Sequence, residues 1–180
     1  MKLPGGGPRT RYVTDEEFLL VRELAPERIG LAMDLALLTG MRQGDILRLD
    51  RSGVTDRGLT FRAGKTGKGQ IILWNDELRT VVANCQRLEP RIRKVLIASR
   101  SGHAFTSNGF QTAWQRLMAR AMESGLTERF TFHDLRAKSL SDASSLEEAA
   151  ARGGHADVRV TDRVYRRLPK SAKALSILDK

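Results

Sequence analysis

The chain has 180 residues, enough for one domain with a core of its own, and 41% hydrophobic content excludes global disorder. Thirty-one Lys+Arg stand against twenty-one Asp+Glu, a formal charge of +10 and a pI near 10.5, which point toward nucleic acid without proving it. One cysteine, Cys85, excludes an intrachain disulfide and a cysteine-based zinc cluster. It lies in the apolar pattern Val81-Val82-Ala83-Asn84-Cys85 and reads as a buried structural thiol. No apolar run approaches the roughly 20 residues of a membrane span. The start lacks the apolar stretch of a secretory signal, so a cytoplasmic setting is expected.

In chain order, Pro4, Gly5, Gly6, Gly7 and Pro8 make residues 1–13 a linker or flexible tail. Thr14-Asp15-Glu16-Glu17 is a capping box, opening a helix that carries Phe18, Leu19, Val21 and Leu24 to about residue 25. A second helix is expected from about Pro26 to Leu38, with a nearly continuous apolar run that marks it as central; Gly40 ends it. A short helix over Gln43–Leu49 turns Ile46, Leu47 and Leu49 inward. The pattern then changes to strands over 59–62 and 70–74, joined by Gly64-Lys65-Thr66-Gly67-Lys68-Gly69. Further helices are expected from Asn75-Asp76 to Leu88, from Thr106 or Ser107 onward, around 134–143, 145–152 and 161–166, and at 171–178. The fold class is therefore mainly α with a small antiparallel β-sheet, an α+β chain without internal repeats.

Four segments carry chemistry. Arg42 follows the central helix at a glycine corner, and Asp45 lies one turn later, where it orients a cation, hydrogen-bonds a catalytic side chain or stands as a solvated first-turn acid. Lys65 and Lys68 sit in the hairpin turn, whose spacing is not that of a phosphate-binding Walker loop. Taken alone they are solvated turn lysines; on a DNA-binding surface such a tip projects an ammonium into a groove. His133 and Arg136, at i and i+3, share one helix face and can grip one phosphate. No HExxH or cysteine ligand accompanies them, so no metal is expected. Phe130 and Phe132 flank the pair and anchor it in the core.

Gly153-Gly154-His155 opens the most basic stretch of the chain, with Arg152, Arg159, Arg163, Arg166, Arg167 and Lys170 opposed by Asp157 and Asp162. Tyr165 lies within it. Most tyrosines are half-buried packing residues, and a phenol with its ordinary pKa of about 10 is a poor nucleophile. A positive surround favours phenolate and attracts phosphate, and arginine forks suit phosphate better than lysine does.

The ordered set Arg42, Lys65, His133, Arg136, His155 and Tyr165 resembles the tyrosine recombinases, the phage integrase family, over about residues 12–178. Thr39-Gly40-Met41-Arg42 with Asp45 is similar to the first arginine box, Lys65 to the hairpin lysine, and His133 with Arg136 to the HxxR box. The run Ala137-Lys138-Ser139-Leu140-Ser141-Asp142-Ala143 is similar to prophage integrases in particular. Gly153 stands where a leucine usually precedes the Gly-His pair, and the intervals flanking His155 differ slightly from the family pattern.

The resemblance implies Tyr165 as nucleophile, Arg42 and Arg136 on the scissile phosphate, Lys65 as general acid, and His133 and His155 in positioning and proton transfer. It implies a covalent 3′-phosphotyrosyl intermediate, no cofactor and no metal. The partner would be double-stranded DNA at attachment sites, in a bacterial cell and on its nucleoid, with no membrane involved. The whole recombinase would act as a homotetramer at synapsis. The chain itself is expected to be a catalytic domain over 14–180, lacking an N-terminal DNA-binding domain and monomeric in isolation. Asp45, Lys68, Arg163, Arg166 and Arg167 would contact DNA or support the site. Type IB topoisomerase-like relaxation and a non-catalytic basic DNA-binding module are the competing readings.

Overall fold

In the computed structural model, residues 11–88, 94–154, 158–165 and 167 are described. Helix α1 (Asp15–Leu24) opens with the expected capping box: Thr14 accepts from the Glu17 amide, and the Glu17 carboxylate reaches back to the Thr14 amide at 3.0 Å. Helix α2 (Glu27–Thr39) is the axis of the domain, with Ile29, Leu31, Ala32, Met33, Leu35 and Ala36 all buried. Pro26 stands at its N-cap, not in its first turn. At its other end Gly40 takes the left-handed conformation (φ 62°) that a side chain would strain. A Cβ there would also press on Leu140, Arg152 and Ser139 at 3.1–3.3 Å.

Helix α3 (Gln43–Leu47) ends two residues earlier than expected, because the backbone at Leu49 accepts from Leu96 (2.8 Å) and Asp50 bridges to Val95. The sheet has three antiparallel strands in the order β1 (Val54–Thr55), β2 (Gly58–Arg62), β3 (Gly69–Leu73). Leu59 pairs with Ile72 and Phe61 with Gln70, placing the Gly64–Lys68 turn at the far tip. β1 was not expected; two residues leave too short a pattern to read. Helix α4 (Asp76–Leu88) packs against α2 and buries Leu78, Val82 and Cys85. Burial pushes the Cys85 thiol up to about 12, as suits an inert structural cysteine.

Helix α5 (Ser107–Glu123) is capped by Thr106, which accepts from the Gly109 amide at 3.0 Å. Its Phe110 and Trp114 receive Phe132 edge-on, with ring centres 5.0 and 5.3 Å apart. Phe132 is the first residue of α6 (Phe132–Ser141), so this aromatic cluster fixes where the next residue, His133, begins its helix. Among the described residues α6 is buried along almost its whole length and lies against α2. Helices α7 (Leu146–Gly153) and α8 (Val158–Val164) complete the described fold, packed on α6 and on each other in turn. Helix α8 starts three residues earlier than expected and ends just before Tyr165. The expected helix at 171–178 lies outside the described residues.

The boundary of the domain also moves. Residues 11–13 were expected in the linker, yet Val13 is fully buried and Arg11 pairs with Glu17 (2.5 Å) and Glu128 (3.0 Å). The Tyr12 hydroxyl donates to Asp142 at 2.6 Å.

Candidate active site

Three corners converge at the C-terminal end of α2. The first is the glycine-ended exit of α2, which delivers Arg42 as N-cap of α3. The second is the start of α6, with His133 and Arg136. The third is the end of α8, where Tyr165 leaves the helix.

Arg136 is the centre. Its guanidinium is 2% exposed and donates to the Gly40 carbonyl and to the Gly153 carbonyl (2.7 Å). It thus ties the exit of α2 to the end of α7. The guanidinium carbon lies 5.1 Å from the Tyr165 ring centre, and the two side chains hydrogen-bond. Burial and the neighbouring Arg42 charge lower its pKa from the ordinary arginine value, against support from Tyr165 and Asp45. Arginine tolerates that pressure and stays charged, as a lysine would not.

The His133 ring lies 5.8 Å from that of Tyr165, tilted by 55°. Part of the residue reaches solvent, yet packing removes enough water to lower its pKa, and Arg136, Arg167 and Arg42 push it further down. Asp134 opposes them. The imidazole is therefore neutral near pH 7, able to accept a proton.

Tyr165 packs against Leu140, Ala143 and Ala149, a small apolar cluster separate from the main core. Its carbonyl accepts from the Ser141 hydroxyl at 2.8 Å. The ring is held between α6 and α7, half-buried.

The glycines before His155 serve the protein's own side chains. Gly153 supplies a carbonyl to Arg136. Gly154 is left-handed (φ 63°) and ends α7, and a Cβ on it would fall 2.5 Å from the Gln70 side chain. Gln70, on β3, donates to the Ala151 carbonyl at 3.2 Å and so links the hairpin to α7.

Asp45 is neither solvated nor on a catalytic side chain. It is 6% exposed, accepts from the Gly64 amide at 2.9 Å and pairs with Arg48 at 3.3 Å. One carboxylate therefore fastens the base of the hairpin to the arginine corner. Beyond that base, Lys65 and Lys68 are exposed. Neither side chain makes a hydrogen bond or ion pair with another described residue, and Lys65 is not drawn into the cluster around Arg136.

Arg167 turns inward and pairs with Asp134 at 2.7 Å, their side chains 5% and 2% exposed. Burial acts to raise the Asp134 carboxyl, but bonds from Arg167 and Thr131 hold it below the usual carboxylate range. Arg163 is described only as backbone of α8, while His155 and Arg166 lie outside the described residues.

Lys138 escaped the sequence reading. It is 1% exposed and pairs with Asp15 (2.5 Å) and Asp142 (2.9 Å), donating also to the Tyr12 hydroxyl at 3.1 Å. Burial works against its charge, and those three partners more than restore it. The signal in the sequence was Asp142 four residues on, inside an otherwise buried helix.

A mainly helical domain with a three-stranded antiparallel sheet is shared with known proteins. The phage integrase family model matches residues 16–171, and the chain belongs to that family. Lambda integrase (75–356), solved as a dimer bound to a core site, superposes with a TM-score of 0.75 at 24% identity, over 98% of this chain and 66% of that one. XerA recombinase gives 0.73 at 18% identity, over 93% and 62%. The lambda integrase catalytic core gives 0.68 at 25% identity, over 80% of this chain and 91% of that one. The chain thus spans just under two thirds of the two longer structures. No curated protein matches it by sequence.

Proposed function

We propose that this chain is the strand-breaking and rejoining part of a site-specific DNA recombinase. The observation that carries the reading is the meeting of Arg136, His133 and Tyr165: a buried, permanently charged fork 5.1 Å from a phenol ring, with an imidazole ring 5.8 Å away. Tyr165 attacks the scissile phosphorus through its phenolic oxygen. A P–O bond forms to tyrosine as the bond to the 5′-oxygen breaks, leaving a 3′-phosphotyrosyl enzyme and a 5′-hydroxyl. Lys65, carried in on the hairpin, protonates the departing oxygen. His133 takes the phenolic proton or holds the phosphate, and His155 assists. Arg42 and Arg136 stabilise the charge that builds on the non-bridging oxygens. Attack by a 5′-hydroxyl from another strand reverses the step, so phosphodiester energy is conserved and the balance needs no further reactant.

Double-stranded DNA is the substrate that the +10 charge favours. The same reading makes the whole recombinase a tetramer on paired sites in the bacterial cytoplasm, acting in prophage integration and excision. Asp45, Lys68, Arg163, Arg166 and Arg167 then support the site or touch DNA. The test is a nicked duplex that loses its short 5′-hydroxyl fragment on cleavage. Covalent protein–DNA adduct should accumulate with the parent protein and vanish in Tyr165→Phe, with DNA affinity unchanged; adduct persisting in that variant would sink the assignment.

A further inference from the structure

The segment that carries Tyr165 is anchored immediately beyond it. The Ser141 hydroxyl donates to the Tyr165 carbonyl at 2.8 Å and accepts from the Arg167 amide at 2.8 Å, so one side chain pins the backbone on both sides of residue 166. The Arg167 side chain then runs back along α6 to Asp134, seven residues from Ser141 and on the same helix face. Asp134 divides its two oxygens: Oδ2 accepts from the Thr131 amide and hydroxyl (2.7 Å each), capping α6, while Oδ1 takes Arg167. The carboxylate that starts the helix of His133 and Arg136 thus also holds the segment just beyond the nucleophile.

The same Arg167 nitrogen donates to the Arg11 carbonyl. Arg11 is itself held by Glu17 on α1, and Tyr12 beside it by Asp142 and Lys138 on α6. Arg167 is the joint between the segment entering the domain and the segment leaving Tyr165. Both partners of its ion pair are buried, so removing either one is costly.

We propose that Arg167 is a positioning residue that, by bridging Asp134 and the Arg11 carbonyl, sets the place of the Tyr165 hydroxyl beside Arg136 and lets the entry segment act on it. This rests on Tyr165 being the nucleophile. A hydroxyl displaced by about 1 Å costs up to about a hundredfold in rate while leaving DNA binding alone.

The test uses the whole 180-residue chain in two measurements. In single-turnover cleavage at saturating DNA, Arg167→Gln and Asp134→Asn should each slow adduct formation about tenfold to a hundredfold with DNA affinity within about twofold. Their combination should be no slower than the worse single variant, because both break one contact. Arg167→Lys, which keeps the charge toward Asp134 on a shorter side chain, should fall between. The second measurement needs no activity. The sequence has two tyrosines, so 3-fluorotyrosine labelling yields two ¹⁹F resonances, assigned by Tyr165→Phe. Arg167→Lys and Arg167→Gln should move the Tyr165 resonance, Gln more.

An unmoved Tyr165 resonance in a folded Arg167→Lys protein would overturn the proposal. So would parental cleavage rates, additive losses, or a loss expressed wholly in DNA affinity. Failure of the parent to form adduct would instead overturn the nucleophile reading, with the resonances still deciding whether Arg167 places Tyr165.

Discussion

The two halves of the site are built in opposite ways. Around Tyr165, the side chains of Arg136, Asp134 and Arg167 are buried and partnered by backbone carbonyls or by other charges. At the hairpin tip, Lys65 and Lys68 stand in solvent on a turn fastened only at its base by Asp45. A guanidinium that must stabilise charge gains from being fixed beforehand in a dry setting. An ammonium that must give up a proton gains from arriving with the substrate, since permanent burial beside three arginines would depress its charge before it was needed. On the proposed reading, the contrast separates a preformed phosphate clamp from a proton donor delivered by docking.

The largest effect after loss of the phenol itself falls on the delivered half. Lys65→Ala should slow cleavage of an ordinary phosphodiester by about 10²–10⁴, the usual worth of a placed general acid. With a 5′-thio leaving group, which departs without protonation, the same variant should cleave near the parental rate. Equal slowing on both substrates would assign Lys65 to binding and erase the contrast. Arg136→Lys tests the preformed half and should cost about 10²–10³ on both substrates alike. One ammonium cannot satisfy the Gly40 and Gly153 carbonyls and also face Tyr165, so thermal stability should fall too. Parental speed in Arg136→Lys would place the phosphate clamp elsewhere.

Asp45 joins the halves, and Asp45→Ala should loosen the hairpin without touching the clamp. A loss of about tenfold is expected on the ordinary substrate, vanishing with the 5′-thio one. If the loss is the same on both, Asp45 works through the charge on Arg136 and not through Gly64.

What could be read in advance follows the range of the interactions. The capping box of α1, the apolar length of α2 and the strand-like runs of β2 and β3 are local patterns, and they appear within a residue of where expected. The HxxR pair was legible because i and i+3 on a helix share a face whatever the fold does. Asp45 was not, since its partner amide lies nineteen residues on. Arg167 reads as one more cation in a basic stretch, because its carboxylate is thirty-three residues back and its carbonyl one hundred and fifty-six. The burial of Lys138 was hidden for the same reason, since its partner Asp15 lies far back on α1. Polar groups that long-range packing removes from water are what a local pattern hides.

The smallest effect expected lies in the titration of His133. Its pKa in the folded protein is lowered by burial first, then by Arg136, Arg167 and, least of these, Arg42. Between that lowered value and the ordinary one near 6.5, the unfolded chain binds a proton that the folded chain does not. Stability therefore rises with pH through that window, and below it His133 contributes a penalty. Removing one cation should ease the penalty: Arg42→Gln should raise the His133 pKa slightly, as read from its ring resonances against pH, and flatten the acid side of the stability curve. An anionic phosphate between the arginines would do the same more strongly, so adding duplex DNA to Tyr165→Phe should move the resonance upward as well. A His133 that titrates at 6.5 or above in the free protein, or that ignores both Arg42→Gln and DNA, would show that the arginines do not share one field. The clamp would then have to be redrawn without Arg42.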